Sequence, residues 1–287
     1  MKLTIGVVNY NTEIYINSLL ESIRHYPPHC SFEIIVVDNA STDNSLKTLK
    51  KIRGIKIIRN LYNIGFSKAC NQISKIAKGD YLLFLNPDVI VTERAIDRML
   101  KFADNHKECG VIGGKLLDFD GQFQYSCREF PNIFNVFFGR ESLLRKIFPG
   151  NPISKKYMLY DVNYNETQYV DWLRGAVMLT PLELYKKLGG MDEEFFLFLE
   201  DTEYCYRIKK SGRKVCYFPE AVFYHKLGAS TKHIMLKAKI EHNVSMYRYL
   251  RKIYDIRYPL LFFLGLGLLL RILVIHFWYA LYKMKGY

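Results

Sequence analysis

In the run Phe195-Phe196-Leu197-Phe198-Leu199-Glu200-Asp201, five apolar residues lead straight into two adjacent carboxylates. Asp and Glu are seldom buried without partners, so acids set against such a run need a task. One task is proton removal. Asp201, with Glu200 as the next candidate or as its partner, suits a general base at the positive end of a helix over roughly residues 202–211. The competing task is to cap that helix. Other chemistry-bearing residues follow apolar runs: Asn9-Tyr10-Asn11, Asp38-Asn39-Ala40-Ser41, Asn86-Pro87-Asp88, and His225 after Ala221-Val222-Phe223-Tyr224. A single such ending is ordinary turn chemistry. Three on one sheet edge form a binding rim, because ligands of open α/β sheets gather beyond the carboxyl ends of the strands. Neither Gly-x-Gly-x-x-Gly nor a Walker loop occurs, which argues against a dinucleotide cofactor and ATP hydrolysis.

The elements that must position these residues alternate. Apolar runs at Leu3–Val8, Phe32–Val37, Ile55–Ile58, Asp80–Leu85 and Gly110–Gly113 read as strands, with helices over Thr12–Arg24, from about Asn44, over Ser67–Ala77 and over Glu93–Asn105. Such alternation predicts an α/β fold, a mostly parallel sheet covered by helices. Pro131, Pro149-Gly150 and Pro152 break the pattern between Cys127 and Gln168, predicting a partly helical excursion. Strand signal returns at Tyr169–Trp172, Ala176–Leu179 and Lys214–Phe218. A helix over Leu182–Leu188 stops at Gly189-Gly190, and a long basic helix covers Ile234–Ile253.

The chain has 287 residues, 49% of them hydrophobic and 24% charged, which describes a globular protein and excludes a disordered one. Its formal net charge is +13. From Lys209 onward Glu220, Glu241 and Asp255 are the only acids, so the basic excess points to anionic lipid or anionic substrates. No nucleic-acid-binding signature accompanies it. Six scattered cysteines without a Cys-x-x-Cys pair argue against a zinc site and a disulfide framework, and read as buried thiols of a reducing compartment. With no signal peptide ahead of them, the sequons at Asn39, Asn165 and Asn243 read as chance matches. Residues 259–282 are apolar apart from Arg271 and His276 near the middle. Two short helices lying in a membrane surface, anchored by Arg257, Trp278, Tyr279, Tyr282, Lys283 and Lys285, fit that pattern better than one crossing.

Val8-Asn9-Tyr10-Asn11, Val37–Asp43, Asn63-Ile64-Gly65-Phe66-Ser67 and Phe84–Val89 resemble the donor half of family 2 glycosyltransferases. Val170–Ala176, Gly189–Glu193, Glu200-Asp201 and Pro219–His225 resemble the acceptor half, so the likeness covers roughly residues 3–230. The subgroup most similar in pattern is the rhamnosyltransferase-like enzymes of O-antigen and related polysaccharide synthesis. The resemblance implies a GT-A fold over residues 1–235, with a nucleotide-sugar half (1–115) and an acceptor half (116–235), ahead of a membrane-associating segment (236–287). It implies an inverting transfer of one sugar, such as rhamnose, from a nucleotide-sugar donor to a lipid-linked saccharide. The place would be the cytoplasmic face of the membrane, reached peripherally or monotopically, and the sequence leaves the oligomeric state open.

By the same resemblance Asn9, Asp38, Asn39, Asn63, Gly65, Phe66 and Asn86 line the donor, with Lys68 as a further charge there. Trp172, Arg174, Gly175 and Asp192 shape the acceptor side, and Asp201 with Glu200 supplies the base. Asp88 and His225 would hold Mg²⁺ or Mn²⁺. Where many relatives carry Asp-x-Asp, this chain has Asn86-Pro87-Asp88, which weakens the metal site. Glu203 and Met191 stand where the family often has Asp and Phe. A polyprenyl-phosphate sugar synthase and a non-catalytic membrane-attached saccharide-binding scaffold are the alternatives. Processive synthases are disfavoured by the missing Gln-x-x-Arg-Trp.

Overall fold

The β-branched runs form strands and the amphipathic runs form the helices between them. The computed structural model describes residues 1–133, 152–160, 162–226, 235–256 and 258–284. In chain order the first half comprises β1 (Leu3–Asn9), α1 (Glu13–His25), β2 (Phe32–Asp38), α2 (Ser45–Lys50), β3 (Ile55–Arg59), α3 (Phe66–Ile76) and β4 (Tyr81–Leu85). There follow β5 (Val89–Val91), α4 (Ala95–Asn105), β6 (Cys109–Leu117), β7 (Phe123–Gln124), β8 (Cys127–Arg128) and α5 (Pro152–Met158). The remainder is β9 (Gln168–Val170), β10 (Trp172–Leu173), β11 (Val177–Pro181), α6 (Leu182–Lys187), α7 (Glu200–Lys210), β12 (Lys214–His225), α8 (Met235–Ile253) and α9 (Leu260–Met284). Much of the irregular excursion expected after Cys127 falls at 134–151, outside the described residues.

The main sheet runs β3-β2-β1-β4-β11-β6-β12-β5. Its first four strands are parallel, and Asn9 lies level with Asp38. The sheet is mixed beyond β4: β11 is antiparallel to both β4 and β6, while β6 and β12 run parallel. β11 meets β4 with Val177 opposite Leu85, and Asn86 N–H donates to Ala176 O at 2.9 Å. The Arg174-Gly175-Ala176 turn therefore enters the sheet where Asn86-Pro87-Asp88 leaves it.

β12 outruns the strand expected over Lys214–Phe218. A register shift between Phe218 and Val222 takes up Pro219, which has no N–H to give a ladder. The strand then continues to His225, which pairs with Val89 of β5, one residue past Asp88. β5, only three residues long and so hidden in the pattern despite its β-branched residues, thus brings the metal candidates together.

Two expectations fail. Cys109 and Cys216 form a disulfide between the adjacent strands β6 and β12, with a Cα–Cα distance of 6.0 Å, although 107 residues separate them in sequence. Cys30, Cys70, Cys127 and Cys205 are free thiols. Sequence spacing misses this pairing because strand adjacency creates it. The apolar tail is one helix, α9, not two, because a lone Arg271 costs too little helix propensity to stop it. Among the described residues no helix is long and apolar enough to cross a membrane. Of the expected tail anchors, Arg257 and Lys285 lie outside the described residues, as do the side chains of Trp278, Tyr279, Tyr282 and Lys283.

Each face of the sheet carries its own core, and a third cluster seats the C-terminal helices. In that cluster Leu264 and Leu268 of α9 meet Met246, Tyr249 and Leu250 of α8 and Phe195 and Leu199 of the loop before α7. The other face of α9 exposes Phe262, Phe263, Leu266, Leu269, Leu270, Leu273 and Val274.

Candidate active site

On the donor side the strand ends form a bonded frame. Asn9 Nδ2 lies 2.8 Å from Asp38 Oδ1, 2.9 Å from Ser41 Oγ and 2.9 Å from Ser45 Oγ, and its Oδ1 accepts from Thr12 Oγ1 at 2.6 Å. Asn39 extends the frame: its Nδ2 donates to Asn63 Oδ1 (2.9 Å), and its Oδ1 accepts from Asn60 Nδ2 (3.0 Å) and Ile64 N–H (3.1 Å). With Asn9 0% and Asp38 1% exposed, these side chains set the loop shapes from inside. Asn63, Gly65 and Phe66 form the expected turn. The backbone that approaches Gly65 is that of Phe196, whose O would sit 2.8 Å from a Cβ at this residue. Phe66 N–H donates to that oxygen (2.8 Å) and Ser67 Oγ–H to Phe195 O (2.7 Å). The turn of the donor half therefore clamps the loop that delivers α7.

On the neighbouring strand ends, Asp88 Oδ1 lies 3.5 Å from His225 Nε2. Gln124 holds the ring from behind: its Oε1 is 2.9 Å from His225 Nδ1, and its Nε2 donates to His225 O at 2.7 Å. Burial, helped by the Arg174 charge and opposed by Asp88, lowers the His225 pKa from its ordinary value, so the ring is neutral at pH 7. With Nδ1–H directed at Gln124, the Nε2 lone pair faces a carboxylate. Metal-binding histidines are pinned in the same manner. Sequence reasoning missed Gln124, which no motif marks.

Asp201 and Glu200 open α7 as its first two residues, one turn position earlier than expected. Asp201 Oδ2 accepts from Gly175 N–H at 2.8 Å, while Oδ1 accepts from Thr202 N–H at 2.7 Å. One oxygen takes the next N–H of the first helical turn, which Leu199 and not Asp201 caps, and the other reaches the turn at Gly175. Gly175 permits this approach: a Cβ there would stand 3.2 Å from Asp201 Oδ2. Burial raises the Asp201 pKa, against the downward pull of the Gly175 and Thr202 donors and Arg174. Glu200, only 6% exposed, goes well above its ordinary value through burial and then through the Asp201 charge. Its Oε2 has no hydrogen-bond partner among the described residues. Burial thus favours the protonated form more at Glu200 than at Asp201, whose carboxylate has N–H donors. The Arg174 charge acts on both His225 and Asp201.

Trp172 Nε1–H donates to Glu129 O at 2.8 Å and braces the acceptor-side ladder. Asp192 is ion-paired to Lys252 of α8. Glu203 sits fully buried against the Arg207 guanidinium (2.7 Å), with Lys252 3.3 Å away. These acids lock α7 and α8 together beside the site.

The sequence profile described as Glycosyl transferase family 2 matches residues 4–164, more than half of the chain. N-acetylglucosaminyl-diphospho-decaprenol L-rhamnosyltransferase of Mycobacterium tuberculosis is 27% identical over 229 residues, covering 76% of this chain and 74% of that protein. Rhamnosyltransferase WbbL of Escherichia coli K12 is 25% identical over 256 residues, covering 86% and 91%. Among solved structures, mannosyltransferase PcManGT of Pyrobaculum calidifontis, in complex with GDP-Man and Mn²⁺, superposes with a TM-score of 0.60 at 17% identity, covering 100% of this chain and 76% of that one. Staphylococcus aureus TarS 1–349 in complex with UDP-GlcNAc gives 0.56 at 20% identity, covering 96% and 73%. At such identities the structural likeness speaks for the fold. Joined to the profile match, it settles the assignment: the chain is a glycosyltransferase of GT-A fold that belongs to glycosyl transferase family 2.

Proposed function

We propose that the chain transfers one sugar, a deoxyhexose such as rhamnose, from a nucleotide-sugar donor to a lipid-linked saccharide in cell-surface polysaccharide synthesis. The carrying observation is the placement of Asp201 against Gly175, on the turn that enters the sheet beside Asp88 and His225. The names of the mycobacterial and Escherichia coli relatives support the sugar and the lipid-linked acceptor.

In this reading the donor's nucleotide rests on the Asn9–Asp38–Asn39–Asn63 frame and its diphosphate lies toward Asp88 and His225. Among the described residues no three His, Cys, Asp or Glu side chains gather into a metal cluster. The Asp88 carboxylate and the His225 ring, facing each other, fit a divalent cation and would hold it against the donor's diphosphate. Held there, Mg²⁺ or Mn²⁺ would neutralise charge developing on the departing diphosphate. Asp201 takes the proton of the acceptor hydroxyl. That oxygen bonds to the anomeric carbon from the face opposite the diphosphate, the carbon–diphosphate bond breaks, and the configuration inverts. Gly175 N–H holds the Asp201 carboxylate in place, and with the Thr202 donors and the Arg174 charge it opposes the upward shift that burial causes. The exposed apolar side of α9 and the basic C-terminal third suit attachment to the cytoplasmic face of the membrane, where a lipid acceptor is reached without leaving the bilayer.

Thermal unfolding with a panel of nucleotide sugars, with Mn²⁺ and with EDTA, tests the reading. One nucleotide sugar is expected to raise Tm in a cation-dependent way and to release nucleoside diphosphate when acceptor is added. Absence of protection by any donor contradicts it.

A further inference from the structure

Arg128, on β8, has a place in the site that nothing above assigns. β8 pairs antiparallel with β10, Trp172 opposite Arg128 and Leu173 opposite Cys127, and Arg174 N–H continues the ladder to Ser126 O at 2.9 Å. Cys127 and Leu173 belong to the core, so alternation puts Arg128, Trp172 and Arg174 on the opposite face. Diagonal neighbours in such a ladder stand roughly 7–8 Å apart. Both arginines thus share one side of the turn whose Gly175 holds Asp201.

Arg128 is only 5% exposed, and its one bond is from Nη1 to Cys127 O at 2.6 Å. No carboxylate lies within ion-pair reach of it among the described residues. Its surroundings are Tyr157, Tyr160 and Tyr164, and burial lowers its pKa from the ordinary value. A guanidinium kept dry without a counter-charge is costly, and a phosphate is the partner its fork fits. Tyr157 comes from α5, which lies along β8 through the bond from Glu129 N–H to Tyr157 O (3.1 Å). Its hydroxyl, pushed up to about 12 by burial, lies within the fields of Arg128, Asp201 and Arg174. Two residues beyond Arg128, Phe130 joins the cluster beneath α9, the helix with the exposed apolar side. The strand that carries Arg128 thus leads to the cluster under α9, while Tyr157 beside it feels the Asp201 charge.

We infer that Arg128 and Tyr157, together with Arg174, seat the phosphate that joins the acceptor saccharide to its lipid, while the donor's diphosphate lies at Asp88 and His225. This rests on the transferase reading above. The chemistry is that of a phosphate ester on an apolar chain, and it separates acceptors by their linker, not by their sugar. A phospholipid headgroup offers a similar anion, but a planar bilayer cannot present it to a side chain this buried.

Calorimetric titration of the full chain with geranyl diphosphate, inorganic pyrophosphate, phosphatidylglycerol vesicles and the nucleoside diphosphate of the active donor tests this. In Arg128→Gln, geranyl diphosphate affinity is expected to fall tenfold or more, the weaker pyrophosphate binding to fall with it, and vesicle and nucleotide affinities to stay within twofold. Tyr157→Phe, which keeps the ring, is expected to lose about threefold for geranyl diphosphate, and Arg128→Lys to recover part of the charge effect. These two variants carry the test if Arg128→Gln fails to fold. Unchanged geranyl diphosphate binding, or an equal loss for the nucleotide or for vesicles, overturns the assignment. When donor turnover persists in that case, the transferase reading survives. A wild-type chain that cleaves no donor sinks both.

Discussion

Around Asn9 and Asp38 the buried polar groups answer one another across three loops, whereas around Asp201 they do not. Among the described residues Glu200 Oε2 has no hydrogen-bond partner, and buried Arg128 has no carboxylate in ion-pair reach. The first region sits at the carboxyl ends of β1 and β2. Gly175, which Asp201 meets, lies where β11 enters the sheet beside the carboxyl end of β4, so both belong to one sheet edge. The donor edge is a preformed frame that needs no ligand to satisfy its hydrogen bonds. The region around Asp201 keeps unbalanced electrostatics, as the proposed transfer requires of a place where a carboxylate gains a proton and an anion is held.

The sharpest challenge to this contrast is Asp201→Asn. Steady-state release of nucleoside diphosphate should fall about 10²–10⁴-fold in kcat, with nucleotide affinity unchanged. A loss of nucleotide affinity instead would make Asp201 part of the frame. Asn9→Ala should act the opposite way. Removing its amide strands Asp38 and Ser45, costing about 2–3 kcal/mol in denaturant unfolding. Lost turnover at undiminished stability would mean that Asn9 contacts substrate and that the frame is not self-sufficient.

The motif blocks made the donor edge legible, because Asn9, Asp38, Asn39 and Asn63 directly end strands or turns that the hydrophobic pattern locates. Asp88 and Asp201 were equally readable. His225 could be named but not placed, since only the Pro219 bulge and the short strand β5 bring it to Asp88. Arg128, Tyr157 and Gln124 carry no signal: each lies in a short element whose partners are distant in sequence. The Cys109–Cys216 disulfide was hidden for the same reason. The length of α9 escapes the pattern because Arg271 interrupts the apolar run without ending the helix.

Gly175→Ala sharpens the contrast at a smaller scale. Its Cβ would come within 3.2 Å of Asp201 Oδ2, so kcat should drop about tenfold as the carboxylate shifts, while nucleotide affinity holds. The smallest effect is expected from Glu200→Gln. Glu200 binds its proton more tightly folded than unfolded, so its stabilising contribution is present at low pH. It is lost as pH rises from the ordinary carboxylate range through the raised folded value. Thermal unfolding against pH should therefore show a flatter decline for the variant. An unchanged slope would mean that Glu200 is ionised in the native protein.

A crystal structure of the chain with its nucleotide sugar and a divalent cation tests the convergence of the two edges most directly. The account predicts the diphosphate against Asp88 and His225 and the anomeric carbon facing Asp201, with room between them for one hydroxyl. A donor bound with its anomeric carbon turned away from Asp201, or its diphosphate seated elsewhere, would contradict it.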